Sequence, residues 1–106
     1  MRTPAHPLPE QFTLATVLHA LSDPVRLQIV RELRDGAERP CGQLHVPVTK
    51  STLSHHLKVL RDAGVTRTRA EGVQRLVSLR RDEVDQQFPG LLRCVFEHDP
   101  RAQRLL

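Results

Sequence analysis

Apolar residues recur with helical spacing in several stretches of the chain, and the most sharply two-sided stretch runs from Thr49 to Ala63. Leu53, Leu57 and Leu60 stand at i, i+4 and i+7, the spacing that stacks side chains on one helical face. Projected at about 100° per residue, Lys50, Ser51, Ser54, His55, Lys58 and Arg61 gather on the opposite arc, with Thr52 beside them. Only Asp62, at the edge of that arc, carries negative charge. Thr49 offers an N-terminal cap and Gly64 a left-handed stop, so the predicted helix is bounded at both ends. Short hydroxyls and long cations on one face suit a groove lined with phosphates and base edges.

The flanking pattern predicts the remaining elements. Leu14, Val17, Leu18 and Leu21 repeat at i, i+3, i+4 and i+7 and mark a first amphipathic helix over Glu10 to Ser22. Phe12 and Ala15 fall on its other side, so this helix has one apolar face for its own core and one for a second subunit. Asp23-Pro24 is a strong helix start, and the second helix runs to Asp35, where Gly36 stops it. Arg26 projects into the middle of the apolar arc formed by Val25, Ile29, Val30 and Leu33. Such an arginine either reaches through the domain to a phosphate or, more ordinarily, packs its stem while its head finds a partner. Between Glu38 and Val48, Pro40 and Pro47 leave room for about one helical turn around Gly42 to His45.

Beyond Gly64 the period changes to two. Val65 to Ala70 and Val73 to Leu79 alternate around Glu71-Gly72, predicting a hairpin with Val65, Val73, Leu76, Val77 and Leu79 as its apolar positions. Arg67, Arg69 and Arg75 are expected to point outward as a basic edge that grips the nucleic-acid backbone. A short helix follows from Asp82, and Leu91, Leu92, Val95 and Phe96 form a last apolar arc before Asp99-Pro100. With Pro4, Pro7 and Pro9, residues 1–9 read as a mobile arm, residues 10–98 as the domain and residues 99–106 as a frayed tail.

Charge sharpens this picture because it is uneven. The chain has a net charge of +4, but Thr49 to Arg81 alone carries eight cations against Asp62 and Glu71, a net of +6. One-signed clustering beside a helix poor in carboxylates points to a polyanion. With 106 residues, no Trp, no Tyr and three Phe, one domain must pack an aliphatic core. No aromatic platform is available for stacking single-stranded bases, so double-stranded DNA is the favoured partner. No apolar run approaches the roughly 18 residues of a membrane span, and no signal-like segment opens the chain, so a soluble cytoplasmic protein is expected.

Chemistry adds little. There is no phosphate-binding glycine loop, nucleophile elbow or paired carboxylates in an apolar setting, so an enzyme is not expected, nor a cofactor. Cys94 and His98 are i, i+4 neighbours near Glu97, and Cys41 is a distant second thiol. They raise the alternative of a thiol- or metal-responsive sensor, against the ordinary reading of cysteines that simply pack; a metal site needs more converging ligands than these supply, so none is expected. A second alternative is a protein-interaction module with only non-specific affinity for DNA.

Three segments in this order resemble the ArsR/SmtB family of bacterial repressors: A-L-S-D-P-V-R-L-Q-I-V-R-E-L at Ala20 to Leu33, S-T-L-S-H-H-L-K-V-L-R-D-A-G-V at Ser51 to Val65, and Glu71-Gly72 followed by R-L-V-S-L. The resemblance implies a winged helix-turn-helix, mainly α with a small β-hairpin. It further implies a homodimer joined by the first and last helices, which carry Phe12, Leu14, Leu18, Leu92, Val95 and Phe96. Two recognition helices would enter successive major grooves of an operator with half-sites about 34 Å apart. Repression would end when an effector, unidentified here, stabilises a dimer shape that no longer fits. Two departures stand out. The stretch from Leu44 to Thr49 is short and contains Pro47, and the family's C-x-C metal motif is absent, since Arg39-Pro40-Cys41-Gly42 offers one thiol.

Overall fold

The computed structural model describes residues 2–98. The first three α-helices each begin where a short polar side chain takes over free backbone donors. The Thr13 hydroxyl accepts from the Thr16 amide at 3.2 Å and starts α1, Leu14–Leu21. The Asp23 carboxylate accepts from the amides of Val25 and Arg26 at 2.8 and 3.1 Å and starts α2, Pro24–Glu32. The Thr49 hydroxyl caps α3, Lys50–Ala63, and Gly64 ends it with φ of 91°. These caps are strong local signals, which is why α2 and α3 start where the sequence predicts them; α3 also ends as predicted at Gly64, whereas α2 ends at Glu32 rather than Asp35, residues 33–35 forming a turn before Gly36.

The first helix differs from expectation. It begins at Leu14 rather than Glu10, because Pro9–Gln11 forms a separate 3-10 turn and Phe12 is extended. That geometry folds the Phe12 ring against Gly64, so closely that any Cβ at Gly64 would collide with it. Phe12 is therefore buried inside its own subunit and is unavailable as the dimer contact the sequence suggested. Leu92 is corrected for the same reason, being fully buried in the core.

After α3 the chain forms β2, Thr66–Glu71, and β3, Gln74–Leu79, joined by a two-residue turn with Gly72 at φ 59°. An unexpected short strand, β1, Arg39–Pro40, pairs with β3, giving a three-stranded antiparallel sheet in the order β1-β3-β2. The turn expected around Gly42 to His45 is a 3-10 turn at Cys41–Gln43. Two short helices, α4, Arg81–Gln87, and α5, Leu91–Glu97, complete the order. The core is aliphatic: Val17, Ile29, Val30, Leu33, Leu60, Val65, Val77 and Val84 are fully buried around Leu92. It holds the inner faces of α1, α2 and α3 against the sheet.

The arm is also corrected. Its described part, residues 2–9, lies along the outer edge of β2 instead of standing free. His6 Nε2 accepts from the Thr68 amide at 2.9 Å, Thr3 Oγ1 accepts from the Ala70 amide at 3.0 Å, and Arg80 donates to the Pro7 carbonyl at 2.8 Å. An edge strand exposes unpaired amides, and these side chains satisfy two of them. The frayed tail expected at residues 99–106 lies outside the described residues.

Candidate nucleic-acid interface

The two faces of α3 separate as the leucine spacing requires. Leu57 and Leu60 are buried and Leu53 is half-buried, whereas Lys50, Ser51, Thr52, Ser54, His55 and Lys58 are all exposed. Adjacent histidines take different roles because neighbouring helical positions diverge by about 100°. His55 faces solvent, while His56 is buried and its Nδ1 lies 3.1 Å from Arg26 Nη1. Arg26 also donates to the carbonyls of Ala20 and His19, at 2.8 and 3.2 Å, at the C-terminal end of α1. This arginine is thus a buried strut joining α1, α2 and α3, with a packed stem and a partnered head. In that contact the guanidinium can only donate, so His56 Nδ1 is the accepting atom.

The wing arginines do not form one edge. Cross-strand register pairs Ala70 with Arg75, Thr68 with Val77 and Thr66 with Leu79, so Arg75 lies on the same face as the core-facing residues. Arg67 and Arg69 pair with Ser78 and Leu76 on the other face. Each of those two arginines meets a carboxylate. Arg69 donates twice to Glu38, at 2.9 Å each, and once to Glu71 at 2.9 Å; Arg67 donates to Glu83 at 3.0 Å. The Arg69 hydrogen bonds hold the Glu38 carboxyl below its usual range, and Glu38 in turn raises Arg69. Lys58 reaches Asp62 at 2.6 Å. Val73, expected as an apolar wing position facing inward, sits instead in the turn and is 92% exposed.

Arg80 leaves the basic surface altogether. It is buried, donates to Glu83 at 2.9 and 2.6 Å, and stacks over the Phe12 ring at 4.9 Å from the centroid. The partnership of Arg80 with Glu83, three residues on, is a spacing the sequence displays; the pairing of Glu38 with Arg69 carries no local signal. Cys94 Sγ and His98 Nδ1 are 3.9 Å apart on an exposed surface. Among the described residues, no three His, Cys, Asp or Glu side chains converge on a point that could hold a metal ion. Burial pushes the Cys41 thiol above its ordinary range, which disfavours the thiolate. No described helix is long and apolar enough to cross a membrane.

This arrangement has close parallels. A helix-turn-helix domain family matches residues 21–69. The chain is 42% identical over 81 residues to the HTH-type transcriptional regulator YceK of Bacillus subtilis (strain 168), covering 74% of this chain and 81% of that one. It is 38% identical over 73 residues to an arsenical resistance operon repressor of Staphylococcus xylosus, covering 68% and 70%. An ArsR-like transcriptional regulator from Rhodococcus sp. RHA1 superposes with a TM-score of 0.62 at 28% identity, over 87% of this chain and 88% of that one. The exposed polar helix on a three-helix core, the wing beside it and this kinship agree: the chain belongs to the ArsR family of winged helix-turn-helix, DNA-binding transcriptional regulators.

Proposed function

We propose that the protein is a homodimeric repressor that reads an imperfect palindrome with α3 and releases it on binding an effector. The observation that carries this reading is the outer face of α3, where Ser51, Thr52, Ser54 and His55 are exposed near the helix start, flanked by Lys50 and Lys58. Hydroxyls and an imidazole at that end suit base edges, and the long cations suit phosphates. Arg61 and the wing residues Arg67, Arg69 and Arg75 supply further backbone contacts. The relative in S. xylosus is named as an operon repressor, which supports repression as the mode of action. A promoter target supports a cytoplasmic location.

The test is a footprint on the promoter of its own coding sequence, followed by titrations with Ser54→Ala and His55→Ala. Each substitution should weaken operator binding by roughly 1 to 3 kcal/mol and relax base preference while the fold survives. Retention of full affinity and specificity by both variants would mean that α3 presents another face to DNA. Binding without sequence preference in the native chain would favour the interaction-module alternative.

A further inference from the structure

A cavity of about 690 Å³ opens between α3 and the wing. Its size is that of a small-molecule site rather than a gap between side chains, since such sites span roughly 300 to 1,000 Å³. Its apolar wall comes from Pro40, Leu53, Leu57 and Val73, drawn from three separate elements. The half-buried Cys41 side chain extends that wall. Among the described residues its ionic lining is all cationic: Lys50, Lys58, Arg61 and Arg75 border the cavity, and no described carboxylate does.

Two polar atoms there lack partners. Thr68 lines the cavity and is 2% exposed, yet its hydroxyl has no hydrogen-bond partner among the described residues. The buried Nε of Arg61, another lining residue, is likewise unpartnered among them. Buried donors without acceptors are costly, so they mark a place where an incoming acceptor gains binding energy.

We infer that this cleft is a binding site for a small organic monoanion with an apolar body, and that its occupant competes with DNA for the outer face of α3. A carboxylate would accept from Arg61 and Thr68 while its hydrocarbon lies on Leu53, Leu57 and Val73. Lys50, Ser54 and Lys58 of the DNA-facing side also line this cavity, so a ligand there would border that face and exclude duplex directly without reshaping a dimer. The competition rests on the function proposed above; the ligand site does not.

The first test uses the full chain without DNA. The fluorescent aryl sulfonate ANS should bind saturably, one per chain, and be displaced by octanoate. Octanol should be at least about tenfold weaker because it lacks the charge-assisted hydrogen bonds, and acetate should be ineffective because it lacks the apolar body. Val73→Glu places a carboxylate at the exposed mouth, and Thr68→Val removes the unpartnered hydroxyl at constant shape. Each should reduce octanoate affinity about fivefold or more with the circular dichroism spectrum preserved. Equal affinity for octanol and octanoate, or unchanged octanoate affinity in both variants, overturns the site.

The second test adds promoter duplex. Octanoate should raise the apparent duplex Kd in linear proportion to its own concentration, with no change in the limiting signal. Octanoate that binds without moving duplex affinity overturns the competition. A chain that binds octanoate but no promoter duplex would overturn the function proposed above, and the competition with it, while the ligand site stands on the first titration.

Discussion

Arg26 occupies the point on α2 where an aliphatic side chain would complete the inner face, and its guanidinium ends on groups from two other helices. Arg26→Met would keep the packed stem but leave the Ala20 carbonyl and His56 Nδ1 without this donor. The His19 carbonyl fares better, because Ser22 also donates to it. The expected loss is about 2 kcal/mol, read from urea unfolding as a shifted midpoint at constant slope. A loss under about half a kcal/mol would mean the strut is redundant with packing. The wing arginines make a second contrast. Arg75→Ala should lower the salt slope of duplex binding by about one unit, as removal of a phosphate contact does. Arg69→Ala should lower it by less than a full unit, because Glu38 and Glu71 already hold that cation in the free protein. Glu38→Gln should then strengthen binding to all duplexes alike. A full-unit loss in Arg69→Ala with no gain in Glu38→Gln would show that DNA displaces the carboxylates at no cost.

Among the elements, α4 is fastened to the wing by Glu83, which accepts from both Arg80 and Arg67. Hydrogen bonds from Arg80, chiefly, hold its carboxyl below the usual value of 4.5. A depressed carboxyl contributes stability that is complete above the unfolded value and disappears as pH falls through the folded one. The native chain should therefore have a higher thermal midpoint than Glu83→Gln at neutral pH, and the two should converge as the pH falls below the ordinary carboxyl value of 4.5. A constant gap across that range would assign the difference to shape rather than charge. Elements with local signals were legible in the sequence: the caps at Asp23 and Thr49, the leucine stripe of α3 and the alternation of the hairpin. Those set by distant partners were not. Two residues, Arg39–Pro40, form β1 only because β3 lies beside them. Phe12 turns inward because Gly64 leaves room for its ring. Arg75 is exposed as expected, but period two places it with Val77 and Leu79, on the opposite face of the sheet from Arg67 and Arg69.

At the scale of the whole molecule, the subunit leaves an apolar surface that its own core does not use. On α1, Leu14 and Leu18 are 49% and 47% exposed, while Val17 and Leu21 of the same helix face inward. On α5, Val95 and Phe96 are only partly buried against the core. A domain this small buries a modest fraction of its apolar area alone, and a second copy across α1 and α5 would remove more of it from water. Four of the six interface residues expected from the sequence remain available for that role, since Phe12 and Leu92 are spent within the subunit. Leu18→Glu tests the dimer without touching the core, because nearly half of that side chain already meets solvent. Sedimentation should give half the native mass, with the helical signal retained. Operator affinity should then fall by about a hundredfold or more, as two linked half-site contacts become one. A Leu18→Glu chain that stays dimeric with full operator affinity would place the subunit contact elsewhere; one that becomes monomeric yet binds undiminished would show that a single α3 suffices.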